Sequence, residues 1–249
     1  MLQRVRACLL CLALWPAVQA AEVRVAVAAN FATPMKLLAS RFEQETGHQA
    51  QISVGATAKL YTQIKNGAPF DVFLAADTDT PAKLAQENAI VPGSRFTYAT
   101  GRLILWSARL DAVDDQGQVL KTGNFKHLAV AAPKLAPYGA AALQTLTQLG
   151  LMDQLRPKLV MGESIGQAFS FVATGNAELG FVALSQVYED GKLSKGSGWI
   201  VPAHLHHPLR QDAVLLLRAS RNPAASALLA FLKTAPSRAV IRSFGYETP

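Results

Sequence analysis

A G-x-S-x-G motif, GESIG over residues 162–166, is the strongest indication of covalent chemistry in this sequence. In α/β-hydrolases the same motif forms a strand-to-helix turn that presents a serine nucleophile. Ser164 follows the apolar segment LVM, and acid and histidine residues lie downstream in the order that a catalytic triad would need. The candidate partners are Asp190, Asp212, His204, His206 and His207. One hypothesis is therefore a serine hydrolase that uses Ser164.

The spacing of these residues argues against that hypothesis. Only 40 positions separate Ser164 from His204, fewer than the strands and helices between hydrolase triad members need. The HLHH cluster precedes Pro208, in a segment typical of a solvated loop. Its histidines have nitrogen atoms suitable for a metal, but no cysteine or fixed carboxylate partner accompanies them. Asp71 and Asp77 indicate a strand end and its turn rather than a carboxylate pair. We therefore predict no enzyme activity, metal centre or cofactor.

Four turns offer a different chemistry, the binding of an anion. Each turn is small or polar, follows a predicted strand and precedes a predicted helix, and the four are centred on Asn30, Thr57, Tyr138 and Ile165. A helix N-terminus leaves backbone N–H groups without intrahelical partners and carries the positive end of the helix dipole. The alternative is that Asn30 and Thr57 cap their own helices.

Strand and helix patterns alternate along the chain. VRVAVAAN predicts a strand, and the segment after it places apolar residues three and four positions apart until Gly47. AQISVGA and DVFLAAD predict two more strands, each followed by a helix, the second with Thr80 as N-cap and Pro81 at its first position. A second series of alternating strand and helix patterns follows RLILWSA. This alternation predicts an α/β fold with mixed, mostly parallel sheets and helices on both faces.

The number of strands predicts two domains with a ligand cleft between them. FTYATGRLILWS and HHPLRQDAVLLL are the predicted crossover segments. Domain I is then discontinuous, with residues 21–100 and 206–249, and domain II has residues 101–205.

The N-terminus and the composition limit the classes of function. Residues 1–20 have the basic, apolar and small-residue regions of a signal peptide, which predicts export. Both cysteines, Cys8 and Cys11, lie in that segment. The net charge of +7 becomes +5 without Arg4 and Arg6, and the basic residues are scattered. Nucleic acid is therefore not an expected partner.

The segments VRVAVAANF, NGAPFDVFLAAD, GSRFTYA, APYG, ESIGQA and LGFVALSQV resemble the periplasmic molybdate-binding protein (ModA) family of ABC transporters. The resemblance covers essentially the whole chain after the signal peptide. It implies the two-domain type II periplasmic-binding-protein fold, which closes on a tetrahedral oxyanion. It also implies a periplasmic monomer that captures molybdate or tungstate and delivers it to an inner-membrane permease. A binding protein for sulfate or another small ligand on the same fold is the alternative within this class.

The resemblance also implies the positions of the anion contacts. They fall on Asn30, Thr57, Tyr138 and Ile165, with neighbouring amides at Ala29, Ala56 and Gly166. These residues are expected to contact the oxygen atoms of the oxyanion, not to bind its metal directly. The better-known enteric members have a tyrosine where Ala183 stands, and we expect the Tyr138 hydroxyl to replace it. We expect the Glu163 carboxylate to point away from the site.

Overall fold

The computed structural model describes residues 20–249, so the predicted signal peptide lies outside the described residues except for its last residue. The strands are β1 (Glu22–Ala28), β2 (Gln49–Gly55), β3 (Val72–Leu74), β4 (Phe96–Gly101), β5 (Leu103–Ser107), β6 (Leu128–Ala131), β7 (Leu159–Gly162), β8 (Leu179–Ala183), β9 (Tyr188–Glu189), β10 (Lys192–Leu193), β11 (Ser197–Ile200) and β12 (Leu209–Leu215). The helices are α1 (Ala32–Thr46), α2 (Thr57–Lys65), α3 (Asp79–Gln86), α4 (Val119–Thr122), α5 (Pro137–Gln148), α6 (Met152–Leu155), α7 (Ile165–Ala173), α8 (Pro223–Leu232) and α9 (Ala235–Ser243).

Most of these strands form two five-stranded sheets. The first sheet has the order β2-β1-β3-β12-β4, and the second has the order β11-β5-β8-β6-β7. In the first sheet β1 is parallel to β2 and β3, whereas β12 is antiparallel to β3 and β4. In the second sheet β6 is parallel to β7 and β8, whereas β5 is antiparallel to β8 and β11. The α/β class and the mixed sheets are confirmed.

The expectation that the sheets are mostly parallel is wrong. Within the described residues, four pairings in the two sheets are parallel and four are antiparallel. The reason is the pair of connections between the sheets. β4 and β5 are consecutive strands in different sheets, and each lies antiparallel to its neighbours, as does β12 after the return. Only the strands joined through helices are parallel, as right-handed crossover connections require.

The first sheet is covered on both faces because residues alternate along its strands. Val23, Val25 and Val27 of β1 are buried on one face with Phe31, which precedes α1, and with residues of α1, α8 and α9. Ala26 belongs to a separate buried cluster on the other face, with residues of α2 and α3. The second sheet contributes to one large buried cluster that includes Trp106 of β5. No helix within residues 20–249 is long and apolar enough to cross a membrane.

The chain passes from the first sheet to the second between Gly101 and Leu103, and it returns between Ile200 and Leu209. The two crossover segments predicted from the sequence contain β4, β5 and β12, the strands next to these connections. The domain bounds, after residue 100 and before residue 206, lie at or near the two connections, and we propose them as the domain limits.

The start of α3 differs from the prediction. The helix begins at Asp79, so Thr80 lies inside it, and Pro81 is not its first residue. The Asp77 carboxylate accepts hydrogen bonds from the Thr80 backbone N–H at 2.9 Å and from its hydroxyl at 3.1 Å. Asp77 therefore satisfies the N–H of Thr80 itself, in the first turn of α3, whereas a Thr80 cap would have accepted from an N–H two or three residues later.

The packing of α5 on β6 depends on Gly139. A Cβ atom at this position would lie 2.1 Å from the Ala131 carbonyl oxygen, which is far inside the contact distance. We predict that Gly139→Ala lowers the free energy of unfolding by about 1–3 kcal/mol, since the helix must move away from the strand. Urea unfolding measures the change. The exposed Thr147→Ala on the same helix is the control, with an expected change within about 0.5 kcal/mol. Equal stability of Gly139→Ala and the parent protein would contradict this packing.

Candidate functional site

A small cavity of about 10 Å³ lies where the turns of the two sheets meet. Six of the seven site residues predicted from the sequence line this cavity. They lie where strands of both sheets end and the following helices begin. The lining residues are Ala28, Ala29, Asn30, Gly55, Ala56, Thr57, Ala76, Ala136, Pro137, Tyr138 and Ile165. The seventh, Gly166, lies beside them, since a Cβ at Gly166 would be 3.3 Å from the Ala29 Cβ. Anion contact by these residues stays a prediction.

The cavity is uncharged and closely surrounded by protein. The 11 residues that line it include no Asp, Glu, Lys or Arg, and eight of the 11 are buried. A larger groove nearby, of about 320 Å³, shares Ala136 and Pro137 but also has Asp77, Asp79 and Lys134 in its lining. Two carboxylates and one lysine leave that groove with a net negative formal charge, so the small cavity is the better candidate for an anion site.

Backbone N–H groups at three helix starts belong to this lining. Thr57 is the first residue of α2, Ile165 is the first residue of α7, and Tyr138 is the second residue of α5. N–H groups at these positions have no acceptor within their own helix. The cavity therefore lies in front of three helix N-termini that come from both sheets, which is an arrangement suited to negative charge.

The Thr57 side chain does not cap α2. Ala56 is the N-cap residue and makes no side-chain hydrogen bond. Instead the Thr57 Oγ1 accepts a hydrogen bond from the Ala76 N–H at 3.1 Å, between two residues of the cavity lining. Because the oxygen is used as an acceptor there, the hydroxyl proton remains free to be donated.

The Asn30 side chain is not a helix cap either. It lies in a single turn of 3-10 helix between β1 and α1, and it is 1% exposed. Its Nδ2 donates to the Gln211 Oε1 at 2.8 Å and to the Tyr246 Oη at 3.0 Å. Its Oδ1 is buried without a hydrogen-bond partner among the described residues. A buried polar atom left unpaired is costly, so this oxygen needs an explanation.

The Tyr138 hydroxyl is part of the same buried network. It accepts a hydrogen bond from the Gln211 Nε2 at 3.1 Å, and its oxygen lies over Gly101, where an added Cβ would be 1.9 Å away. Burial raises the pKa of Tyr138 and of Tyr98 well above their usual value, and it raises the pKa of Tyr246 to about 12. All three hydroxyls therefore keep their protons at neutral pH.

Sequence analysis missed the residues that hold these side chains. Gln211 is 0% exposed within β12, Tyr246 follows α9, and the Ser185 hydroxyl donates to the Asn30 carbonyl oxygen at 2.8 Å. The only available signal was a polar Gln-Asp pair at the start of an apolar strand pattern. Ala183 is buried at the end of β8 and is not among the cavity-lining residues.

Glu163 points away from the cavity, as we expected. Its side chain is 70% exposed, and its carboxylate lies 2.5 Å from the Lys59 Nζ of α2. The pair joins a turn of the second sheet to a helix of the first. The nearby backbone bond from the Ala58 N–H to the Leu135 carbonyl oxygen, at 3.2 Å, also joins the two halves. The acidic residue is thus neutralised at the rim and does not weaken the case for an anion.

Ser164 serves as a helix cap. Its Oγ accepts a hydrogen bond from the Gln167 N–H at 3.2 Å, at the start of α7. This bond satisfies the third N–H of the helix and leaves those of Ile165 and Gly166 without an intrahelical acceptor. The turn resembles a nucleophile elbow because both structures direct backbone N–H groups at negative charge.

The histidines and acids of the hydrolase hypothesis lie elsewhere. His204 and His207 are exposed, and the His206 Nδ1 lies 2.8 Å from the His207 carbonyl oxygen. Asp212 accepts a hydrogen bond from the Thr97 hydroxyl, and Asp190 occupies a turn with φ 49°. Within residues 20–249 no group of three or more His, Cys, Asp or Glu residues could hold a metal ion.

Comparisons with known proteins show which family the chain is similar to. A family model described as bacterial extracellular solute-binding protein matches residues 23–247. The molybdate-binding protein ModA of Azotobacter vinelandii is 62% identical, over 92% of this chain and 91% of its own length. The ModA of Rhodobacter capsulatus is 52% identical, over 92% of this chain and 89% of its own length. A solved periplasmic molybdate-binding protein of A. vinelandii is 42% identical with a TM-score of 0.88, covering 91% of this chain and 99% of that one.

The cap at Ser164 can be tested directly. We predict that Ser164→Ala lowers the free energy of unfolding by about 0.5–2 kcal/mol, because the Gln167 N–H loses its acceptor. Ser164→Thr keeps a hydroxyl in the same place and is the control. Urea unfolding of the three proteins measures the difference. Covalent labelling of the parent protein by a fluorophosphonate, absent in Ser164→Ala, would contradict the assignment and favour a hydrolase.

Proposed function

The chain belongs to the bacterial extracellular solute-binding protein family, and from that premise we propose that it captures molybdate, and tungstate as well, for an ABC transporter. It acts in the periplasm after export through its N-terminal signal peptide, and it works as a monomer without a cofactor. The anion is handed to the permease in the inner membrane. The observation that carries the proposal is the uncharged cavity in front of three helix N-termini.

The chemistry of the lining supports an anion that carries no proton. Molybdate and tungstate are unprotonated dianions near neutral pH, so each of their oxygen atoms only accepts hydrogen bonds. The free N–H groups of Thr57 and Ile165 and the Thr57 hydroxyl proton are donors. Phosphate retains a proton near neutral pH, and that proton would lack an acceptor in a cavity made of donors. Sulfate has the same charge and shape as molybdate, so its rejection must rest on size.

The expected affinity follows from a small number of hydrogen bonds. A hydrogen bond to a charged group contributes about 1.5–3 kcal/mol, and each helix end contributes about 0.3–1 kcal/mol. Six such bonds are enough for a binding free energy of about −8 to −12 kcal/mol after the costs of desolvation and closure, which corresponds to micromolar to nanomolar dissociation constants. A buried lysine or arginine is therefore not needed.

Access to the cavity supports a closing motion. Most of the lining residues are buried, and the rim is held by the Lys59–Glu163 ion pair and the bond from Ala58 to Leu135. An anion can enter only when the two halves separate. We propose that the connections at Gly101 and between Ile200 and Leu209 act as the hinge, since only they link the two sheets covalently within the described chain. The closed form is then the one that the permease recognises.

An anion panel tests the proposed ligand. We predict that molybdate or tungstate at about 100 times its dissociation constant raises the thermal unfolding midpoint by about 5–10 °C, because a ligand at that excess adds about 2.7 kcal/mol of stability. Sulfate and phosphate at the same concentration serve as matched controls, with no expected shift. A shift with sulfate as well would support an anion site but contradict its selectivity for molybdate and tungstate over sulfate. Absence of a shift with every anion would contradict the proposed function.

A conservative pair of variants tests the Thr57 hydroxyl. Thr57→Val keeps the shape of the side chain but removes the donor, and we predict a molybdate dissociation constant about 10- to 100-fold higher. Thr57→Ser keeps the hydroxyl and should stay within about threefold of the parent protein. Isothermal titration calorimetry measures both, and circular dichroism checks that each variant is folded. Equal affinities of the Val and Ser variants would exclude Thr57 as a hydrogen-bond donor to the anion.

A further inference from the structure

A buried hydrogen-bond network lies beside the cavity and joins both sheets. The Gln211 side-chain amide is at its centre: its Oε1 lies 2.8 Å from the Asn30 Nδ2 and 2.9 Å from the Tyr98 Oη, and its Nε2 lies 3.1 Å from the Tyr138 Oη. The Tyr246 hydroxyl donates to the Asn30 carbonyl oxygen at 2.9 Å. Among these residues, Asn30 and Tyr138 line the cavity.

The amides of Asn30 and Gln211 can only turn together. A side-chain amide rotated by 180° occupies almost the same space but exchanges its donor for its acceptor. The two amides meet at 2.8 Å through one nitrogen and one oxygen atom. Rotation of one amide alone would bring two oxygen atoms or two N–H groups into contact. Two arrangements are therefore available: the one described above, and a turned arrangement in which both amides are rotated.

The arrangement described above leaves hydrogen bonds unmade. The Asn30 Oδ1 is buried without a partner among the described residues. The Tyr98 hydroxyl has a single proton, yet it lies 2.9 Å from two acceptors, the Ala75 carbonyl oxygen and the Gln211 Oε1. Because Tyr98 remains protonated and cannot donate twice, one of these two contacts lacks a hydrogen.

With an anion in the cavity, the turned arrangement removes both defects. The Gln211 Nε2 then donates to the Tyr98 Oη and to the Asn30 Oδ1, and Tyr98 donates its proton to the Ala75 carbonyl oxygen. The Gln211 Oε1 accepts the proton of Tyr138. The Asn30 Nδ2 takes the place of the unpartnered oxygen and faces the cavity with its two hydrogens. The Asn30 Oδ1 then lies against the Tyr246 Oη, where the Nδ2 was 3.0 Å away, and accepts its proton, while Ser185 still donates to the Asn30 carbonyl oxygen. The two Asn30 Nδ2 hydrogens are paired only when an anion occupies the cavity. Buried polar networks are stable when every member is paired, so the turned arrangement is favoured with the anion bound.

We infer that Gln211 is the positioning residue that makes Asn30 a hydrogen-bond donor to the anion. This inference rests on the proposed function and adds a specificity mechanism to it. With the amides turned, Asn30 offers hydrogens to an unprotonated dianion. In the other arrangement its oxygen would face the cavity and would require a proton on the ligand. Tyr138 then contributes to the site through its backbone N–H and its ring, while its hydroxyl holds Gln211.

Nuclear magnetic resonance of the folded parent protein distinguishes the two arrangements. In the molybdate-saturated protein we expect the side-chain N–H₂ protons of Gln211 to show stronger nuclear Overhauser effects to the ring protons next to the Tyr98 hydroxyl than to those of Tyr138. The Gln211→Glu variant, which lacks these N–H₂ signals, provides their assignment. Stronger effects to Tyr138 in the molybdate-saturated protein would overturn the inference.

Two variants test the effect on binding. Glu at position 211 can only accept hydrogen bonds when ionised, so it turns the Asn30 nitrogen away from the cavity. Met at the same position has a similar volume and imposes neither orientation. We expect the molybdate dissociation constant to rise about 100-fold in Gln211→Glu and about 10-fold or less in Gln211→Met, as for the loss of one hydrogen bond to a charged group. Equal losses in the two variants would mean that Gln211 only fills space and would overturn the inference.

The side-chain N–H₂ resonances of Asn30 distinguish a failure of this inference from a failure of the proposed function. If molybdate binds, the Asn30 side-chain N–H₂ resonances should shift downfield on its addition, and binding without such a shift would overturn the role of Asn30 alone. If no anion binds, the proposed function fails, and the Gln211 contacts in the ligand-free protein still report which arrangement the network adopts.

Discussion

The N–H groups at the start of a helix have no acceptor in that helix, and the architecture depends on where three such starts are placed. Thr57, Tyr138 and Ile165 lie in the first turns of helices that pack on two different sheets, yet they line one cavity. Because both sheets direct the ends of parallel strands at the same gap, these N–H groups converge without any charged side chain. A binding site of this kind favours an anion by its dipoles, and selectivity is left to donor geometry and size.

The hydrogen bonds around the cavity join the two halves of the molecule. Asn30 is bonded to Gln211 and Tyr246, and its carbonyl oxygen accepts from Ser185 of the second half. Gln211 is in turn bonded to Tyr138 of α5. Asn30 and Tyr138, which line the cavity, therefore also take part in holding the halves together. The proposed capture of an anion and closure of the cleft would be coupled, because they would use one set of groups.

The general fold was within reach of sequence reasoning because local patterns carry it. Apolar spacing located α1, and Gly47 ends α1 with φ 72°, as the sequence indicates. The errors came from contacts that local patterns do not record. Thr80 was assigned as a cap, although it lies inside α3 and its own N–H donates to Asp77. The proportion of parallel strands was overestimated because the crossing strands run antiparallel to their neighbours.

The sequence by itself determined the strand-to-helix turns and their small, uncharged character, because these depend on residues adjacent in the chain. It also placed Asn30, Thr57, Tyr138 and Ile165 on those turns. Only the tertiary structure decided what the side chains do there. Asn30 is bonded to residues 181 and 216 positions away, and such partners follow from the packing of two sheets rather than from local spacing. An amide has a donor and an acceptor of nearly equal shape, so its distant neighbours decide which one faces the ligand.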